Sequence, residues 1–221
     1  MPGFRSQVTA ILLILAIGCA AGPARGGEPP AGQLHVGWAT VDITPSAPVV
    51  LDGSGYKRVT NEVEDPVTAT VLALETRDGE RVLDQAIMVT FDLVRMTKEV
   101  HEGLQRVAAE KLADFDSSKL ICGATHTHCG PSISYAQTGP GQLYDISDRS
   151  DVMTPQQYIL FLYEKVGAGI VEAWQTRKPA GVSWGLGNAV VGYNRRLSYA
   201  DGSAIMGFDT ARPDFSHVEG Y

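Results

Sequence analysis

A strand, a helix and a second strand follow one another along the chain, and this succession limits the fold more than any other sequence feature. Ala86–Asp92 is an apolar run, and Thr97–Asp114 then places apolar residues at every third or fourth position, as an amphipathic helix does. Leu120–His128 returns to a strand pattern. Strands joined by a helical crossover are parallel and end at the same edge of the sheet. The sequence therefore predicts a βαβ unit.

Further elements flank this unit on both sides. Leu34–Pro45 alternates as a strand, and Val67–Thr76 pairs with Arg81–Asp92 through the hairpin signal Asp78–Gly79. Downstream, Thr154 and the proline that follows it begin a second amphipathic helix, which runs to about Gln175. We therefore predict an α/β fold with a mixed sheet and flanking helices.

The remaining segments are loops and short strands. Residues 46–66 are rich in Gly, Pro and Asp and read as a long loop, which in a compact domain is usually functional or disordered. Residues 181–194 predict one or two strands, and Ala200–Ser203 predicts a hairpin turn. The last residues, "DFSHVEGY", carry no strand or helix signal. We therefore expect residues 31–221 to be a truncated chain or the incomplete amino-terminal part of a larger domain.

Residues 1–30 have the pattern of a secretory signal peptide followed by a linker. Arg5 is basic, and the apolar run Val8–Ile17 is about ten residues long, too short to span a bilayer. The small residues after it suit cleavage after Ala21, and lipidation of Cys19 is the alternative. Either way we expect an exported protein, periplasmic or secreted, and in the second case lipid-anchored. No other run is apolar enough to be a transmembrane segment.

Composition argues against two other classes. The net charge of -7 and the absence of a Lys/Arg stripe exclude nucleic acid as the main partner. Cys122 and Cys129 lie about 23 Å apart if the segment between them is extended, so they do not pair within that strand. The sequence does not predict a disulfide framework.

Polar residues gather where the two parallel strands end. Asp92 follows one strand, and His126 and His128 close the other. On a strand these two rings share one face, roughly 6.5 to 7 Å apart at Cα. Either both imidazoles bind one zinc, or one binds while the other faces substrate. Asp92 is predicted to orient the ring of one histidine without binding the metal itself. Gly130–Pro131 turns the chain away from the two rings.

The same residues also have simpler interpretations. One histidine of an H-x-H pair can cap the strand while the other is solvated. Arg195 and Arg196, in "GYNRRLS", read as surface charges beside a hairpin when taken alone.

Four motifs occur in an order that is similar to one known family. "GWATVDITP", "FDLVRM", "GATHTHCGP" and "GYNRR" resemble the amino-terminal catalytic region of the neutral/alkaline non-lysosomal ceramidases, from about Val36 to Arg196. The resemblance implies a zinc-dependent amidase that cleaves the N-acyl bond of ceramide, or of a related lipid amide at a membrane surface, to sphingosine and a fatty acid. Zinc would activate water and stabilise the oxyanion.

The resemblance also implies roles for individual residues. His126 matches a zinc ligand, His128 matches a histidine beside the substrate, and Arg195 matches an arginine that lines the active site. Cys129 and Arg196 depart from the family pattern, since serine is usual at both positions.

The family's other zinc ligands lie beyond the residue that matches Tyr221. We therefore expect the 221-residue chain alone to bind zinc poorly and to lack amidase activity. The alternative function is a non-catalytic exported domain that binds a metal or another ligand and keeps only the fold.

Overall fold

The computed structural model describes residues 32–189, 192, 194–207 and 210–218. They belong to two compact units that divide between Gly181 and Val182. No helix in these described ranges is long and apolar enough to cross a membrane. The predicted leader, residues 1–30, lies outside the described residues.

A five-stranded mixed sheet forms the centre of the first unit. Along the chain, its strands and a small hairpin are β1 (Gln33–Asp42), β2 (Val49–Val50), β3 (Val59–Thr60), β4 (Thr68–Asp78), β5 (Arg81–Phe91), β6 (Leu120–Ala124) and β7 (Lys178–Pro179). The order in the sheet is β6-β5-β4-β1-β7, while β2 and β3 pair with each other. Only β5 and β6 are parallel; the other neighbours are antiparallel.

Two helices cover one face of this sheet and enclose the core. They are α1 (Lys98–Lys111) and α2 (Pro155–Gln175), and short 3-10 turns occupy Ser117–Lys119 and Tyr135–Gln137. The alternation of each strand places its apolar residues under the helices, whose own apolar stripes close the core. Its fully buried members include Val71, Ala73, Ile87, Val89, Phe91, Val100, Leu104, Leu162, Val166 and Ile170.

The second unit is built on a three-stranded antiparallel sheet. Its strands are β8 (Arg196–Tyr199), β9 (Ala204–Met206) and β10 (Phe215–Val218), in the order β10-β8-β9. The Arg212 guanidinium bonds the carboxylates of Asp201 and Asp214 and lies 3.8 Å from the centre of the Tyr199 ring. This cluster ties the β8–β9 turn to the segment that leads into β10.

The predicted α/β architecture is confirmed. The Asp78–Gly79 hairpin joins β4 to β5, and Gly79 has the positive φ of 59° that such a turn needs. The crossover from β5 through α1 to β6 forms the parallel pair, and α2 begins with the predicted cap at Thr154.

Three predicted details are wrong. The strand that was to reach His128 ends at Ala124. Residues 181–189, all of them described, form no strand; their alternation of Val182, Trp184 and Leu186 with small residues mimics one, but every residue there is exposed and three are glycines. The rest of that prediction includes 190, 191 and 193, outside the described residues. Finally, β10 forms where none was expected, because a register shift in its pairing with β8 hides the alternation.

The cap of α2 gives a testable consequence. The Thr154 side chain accepts from the Gln157 backbone N–H, and the Gln157 side chain accepts from the Thr154 backbone N–H. Thr154→Ala removes half of this capping box, so we expect about 1 kcal/mol less free energy of unfolding in urea titrations. Gln156→Ala, at an exposed position in the same turn, is the control and should change little. An equal loss in both variants would contradict the role of the cap.

Candidate active site

His126 occupies a turn at the carboxyl end of β6. Its φ of 65° is positive, which is uncommon and strained for a residue other than glycine. Beyond Phe91 the partner strand has ended, so the Thr125 N–H bonds the Phe91 carbonyl and the His126 N–H reaches ahead to that of Leu93. The simple strand alternation used for the sequence prediction therefore stops before the histidines.

The turn nevertheless brings the two imidazoles together. The Nε2 atoms of His126 and His128 are 3.4 Å apart, and the ring centroids are 4.9 Å apart at an interplanar angle of 80°. Both residues are exposed. The two histidines therefore lie close together, as the sequence predicted, but they follow the end of β6 instead of lying on it.

One ring nitrogen of His126 forms a hydrogen bond with the backbone. Its Nδ1 lies 2.7 Å from the Val94 carbonyl oxygen. A carbonyl only accepts, so Nδ1 carries the proton and donates, which leaves the lone pair on Nε2. This is the arrangement that a metal-binding histidine commonly has.

His128 is held by the loop between β2 and β3. Gly53, at φ 90°, packs so closely that a Cβ there would lie 2.5 Å from Cγ of the His128 ring. The Arg58 guanidinium donates to the His128 carbonyl oxygen and, at 3.2 Å, to that of Asp52. Only glycine suits position 53, because it combines a left-handed φ with ring contact.

Asp92 contacts the histidine turn through Thr125. Its Oδ2 accepts from the backbone N–H and the hydroxyl of Thr68, at 3.0 and 2.8 Å, and its Oδ1 accepts from the Thr125 hydroxyl at 3.3 Å. Among the described contacts, the group that bonds the His126 ring is the Val94 carbonyl rather than Asp92. An orienting role for Asp92 stays a prediction, acting one residue before His126.

A cavity of about 690 Å³ opens beside the turn. Residues from the 44–67 segment form most of its wall, and Asp92, Thr127, Cys129 and Pro131 complete it. Thr127 and Cys129 alternate with the histidines, neither of which is among the described lining residues. The volume is within the range of small-molecule sites. The long loop thus forms most of the wall of this cavity.

The separation of the two imidazoles can be compared with the geometry of a zinc site. Two imidazole ligands of a tetrahedral zinc, each about 2.0–2.1 Å from the metal, are about 3.3 Å apart, close to the observed 3.4 Å between the Nε2 atoms. Within the described ranges, no group of three His, Cys, Asp or Glu side chains converges on one point. The pair fits two positions around zinc, and a catalytic zinc normally has a third protein ligand.

The two thiols differ in environment. Burial raises the pKa of Cys122 to about 12, so this side chain is a neutral packing group. Cys129 is exposed and lines the cavity.

Arg195 lies in the second unit, directly before β8. Its carbonyl accepts from the Gly207 N–H at 3.2 Å, and the preceding Asn194 side chain accepts from the Arg196 N–H at 3.0 Å. Its predicted place in the active site stays a prediction.

Sequence reasoning missed the groups that orient the two rings. The Val94 carbonyl is a backbone group, so no pattern of side chains in the sequence could indicate its contact with His126. The loop that contains Gly53 and Arg58 did carry a signal. Its Asp-Gly-Ser-Gly run is typical of a turn, and loops of its length in compact domains are often functional.

Comparisons with known proteins support a likeness of fold. No family model matches the sequence, and no curated protein matches it. The structure is similar to neutral ceramidase from Pseudomonas aeruginosa, with a TM-score of 0.51 and 20% identity, covering 76% of this chain and 23% of that chain. A structure described as ceramidase complexed with C2 has a TM-score of 0.45, 20% identity and the same coverage. The match spans less than a quarter of the matched ceramidase, and over that part the chain has a ceramidase-like fold.

Proposed function

We propose that this chain carries one side of the zinc site of a ceramidase-like amide hydrolase. The observation that carries the proposal is the pair of Nε2 atoms, 3.4 Å apart, that His126 and His128 present at the carboxyl edge of the sheet. Ligands in open α/β sheets commonly bind at that edge. The fold similarity to part of a neutral ceramidase supports the reaction class.

His126 is the proposed zinc ligand. Its Nδ1–H is fixed on the Val94 carbonyl, which aims the Nε2 lone pair outward. Zinc bound there supplies Lewis-acid polarisation of the amide carbonyl. His128 either shares the metal or serves as the acid–base group beside it, because its Nε2 faces the same point.

The remaining roles follow the sequence predictions. Asp92 stabilises the turn through Thr125. Arg195 is proposed to hold a carbonyl or an anionic group of the substrate through its planar guanidinium.

The proposed substrate is the N-acyl bond of ceramide or of a related lipid amide, taken from a membrane surface. The cavity beside the turn supports it, because apolar residues, among them Val49, Leu51, Val63 and Val67, form part of its wall beside polar and charged ones. We further propose that the protein is exported and cleaved after Ala21 or lipidated at Cys19. The mass of the mature amino terminus separates these two outcomes.

Two measurements test the proposed hydrolase. The coding sequence beyond the codon for Tyr221 should supply a further histidine, a glutamate and a tyrosine as zinc ligands; a stop codon there supports instead the non-catalytic metal- or ligand-binding domain. For the 221-residue chain itself, we expect weak zinc binding and no fatty acid release from an N-acyl sphingoid lipid in micelles. Tight binding of one zinc per chain, together with fatty acid release, would contradict the proposal that this chain carries only one side of the site.

A further inference from the structure

The two histidines are held by two different parts of the chain. The segment after β5 supports His126, through the Leu93 and Val94 carbonyls. The loop between β2 and β3 supports His128, through Gly53 under its ring and Arg58 on its carbonyl. The distance between the Nε2 atoms therefore depends on how these two supports are joined.

An ion pair between a buried carboxylate, Asp52, and a half-exposed guanidinium, Arg95, joins them. Asp52 is 1% exposed, and its Oδ1 accepts from Arg95 at 3.2 Å and from the Gly53 N–H at 2.7 Å. Arg95 directly follows Val94, whose carbonyl holds the His126 ring, and Gly53 directly follows Asp52. The Asp52 carboxylate thus bonds two residues. One is Gly53, which lies under the His128 ring, and the other is Arg95, which follows the residue whose carbonyl accepts from the His126 ring.

The rest of the loop has separate support. The Asp52 N–H bonds the Gly130 carbonyl at 3.1 Å, and the Ser132 N–H bonds that of Val50 at 2.8 Å. Arg58 also bonds the Asp52 carbonyl. Loss of the ion pair should therefore shift the loop relative to the His126 support without unfolding it.

We propose that Asp52 and Arg95 are positioning residues that set the separation of the two imidazoles and thereby the zinc affinity of the site. The pair acts through its neighbours and touches neither ring. The zinc part of this inference rests on the proposed function, while the ring-positioning part does not. Asp52 suits the task because its carboxylate is buried and cannot exchange these partners for water without cost, and it bonds a group in each of the two supports.

The test compares four variants of the 221-residue chain: Asp52→Asn, Arg95→Met, their combination, and Arg95→Lys. The first readout is the NOE between the ring protons of His126 and His128 in metal-free protein, which reports ring separation without any metal. The second is zinc affinity from competition with a chromophoric chelator. Arg177→Met is the matched control, because Arg177 pairs with the buried Glu75 and bonds neither histidine.

We expect Asp52→Asn and Arg95→Met each to lose the NOE and to weaken zinc binding roughly tenfold, the lower end of the range for groups that bond a metal ligand directly, because this pair acts through its neighbours. The double variant should be no worse than either single one, and Arg95→Lys should keep the NOE. Arg177→Met should lower thermal stability and leave both readouts unchanged.

Three results would overturn the inference: an NOE retained in folded Asp52→Asn and Arg95→Met, additive losses in the double variant, or equal losses in Arg95→Lys and Arg95→Met. If the wild-type chain shows the NOE but binds no zinc, the proposed function fails, and the NOE series still decides the positioning role. If Asp52→Asn does not fold, the two Arg95 variants decide it.

Discussion

Replacing His126 by alanine is expected to remove zinc binding from the 221-residue chain. Its Nε2 carries the lone pair that faces the metal position, because Nδ1–H is bonded to the Val94 carbonyl. The loss in affinity should exceed the roughly 10–100-fold that removal of an outer partner costs. Isothermal titration with zinc at high protein concentration measures it.

Two further variants distinguish the loss of the imidazole from an effect on the backbone conformation at residue 126. His126→Asn removes the ring but tolerates the left-handed conformation at φ 65° better than alanine does. It should lose zinc to the same extent as His126→Ala while remaining more stable. His217→Ala removes an exposed imidazole of the second unit and should leave zinc binding unchanged. Zinc affinity retained in His126→Asn would sink the assignment of this ligand.

The largest stability effect is expected at Gly37 in β1. A Cβ there would lie 2.1 Å from the Ala173 carbonyl oxygen, at the end of α2, and 3.0 Å from the Arg177 backbone nitrogen, just after the helix. Backbone atoms cannot rotate away, so the helix must shift from the sheet. We expect Gly37→Ala to lower the free energy of unfolding by about 3 kcal/mol, the upper range for an overpacked core, as measured in guanidinium titrations.

Gly123 in β6 offers the matched control. It is also a strand glycine, but a Cβ there would meet nothing within 4 Å. Gly123→Ala should therefore be neutral or slightly stabilising, since alanine reduces the entropy of the unfolded chain. Equal destabilisation of the two variants would show that the contact between β1 and α2 is not the cause.

Patterns with a fixed period predicted the architecture well. The parallel pair of β5 and β6 follows from the helical period between them, and the start of α2 follows from the Thr154 cap. These features depend on neighbours a few residues apart along the chain, so the sequence displays them directly. The likeness to part of a neutral ceramidase confirms the resemblance at the level of fold.

The geometry of the site was only partly predictable. The sequence placed Asp92, His126 and His128 at one edge, but it treated the histidines as strand residues. The positive φ of His126 follows the point where β6 ends opposite Phe91, a backbone change that strand alternation cannot encode. The ion pair between Asp52 and Arg95 likewise joins residues 43 apart in the chain, and no local pattern indicates that the two pair.

X-ray absorption at the zinc edge of the loaded 221-residue chain tests the central claim most directly. With His126 as a ligand, the spectrum should contain imidazole nitrogen at about 2.0–2.1 Å. That imidazole contribution should fall or disappear in His126→Asn. A sulfur shell at about 2.3 Å, indicating a cysteine such as Cys129, or an unchanged spectrum in His126→Asn, would contradict a zinc site built on His126.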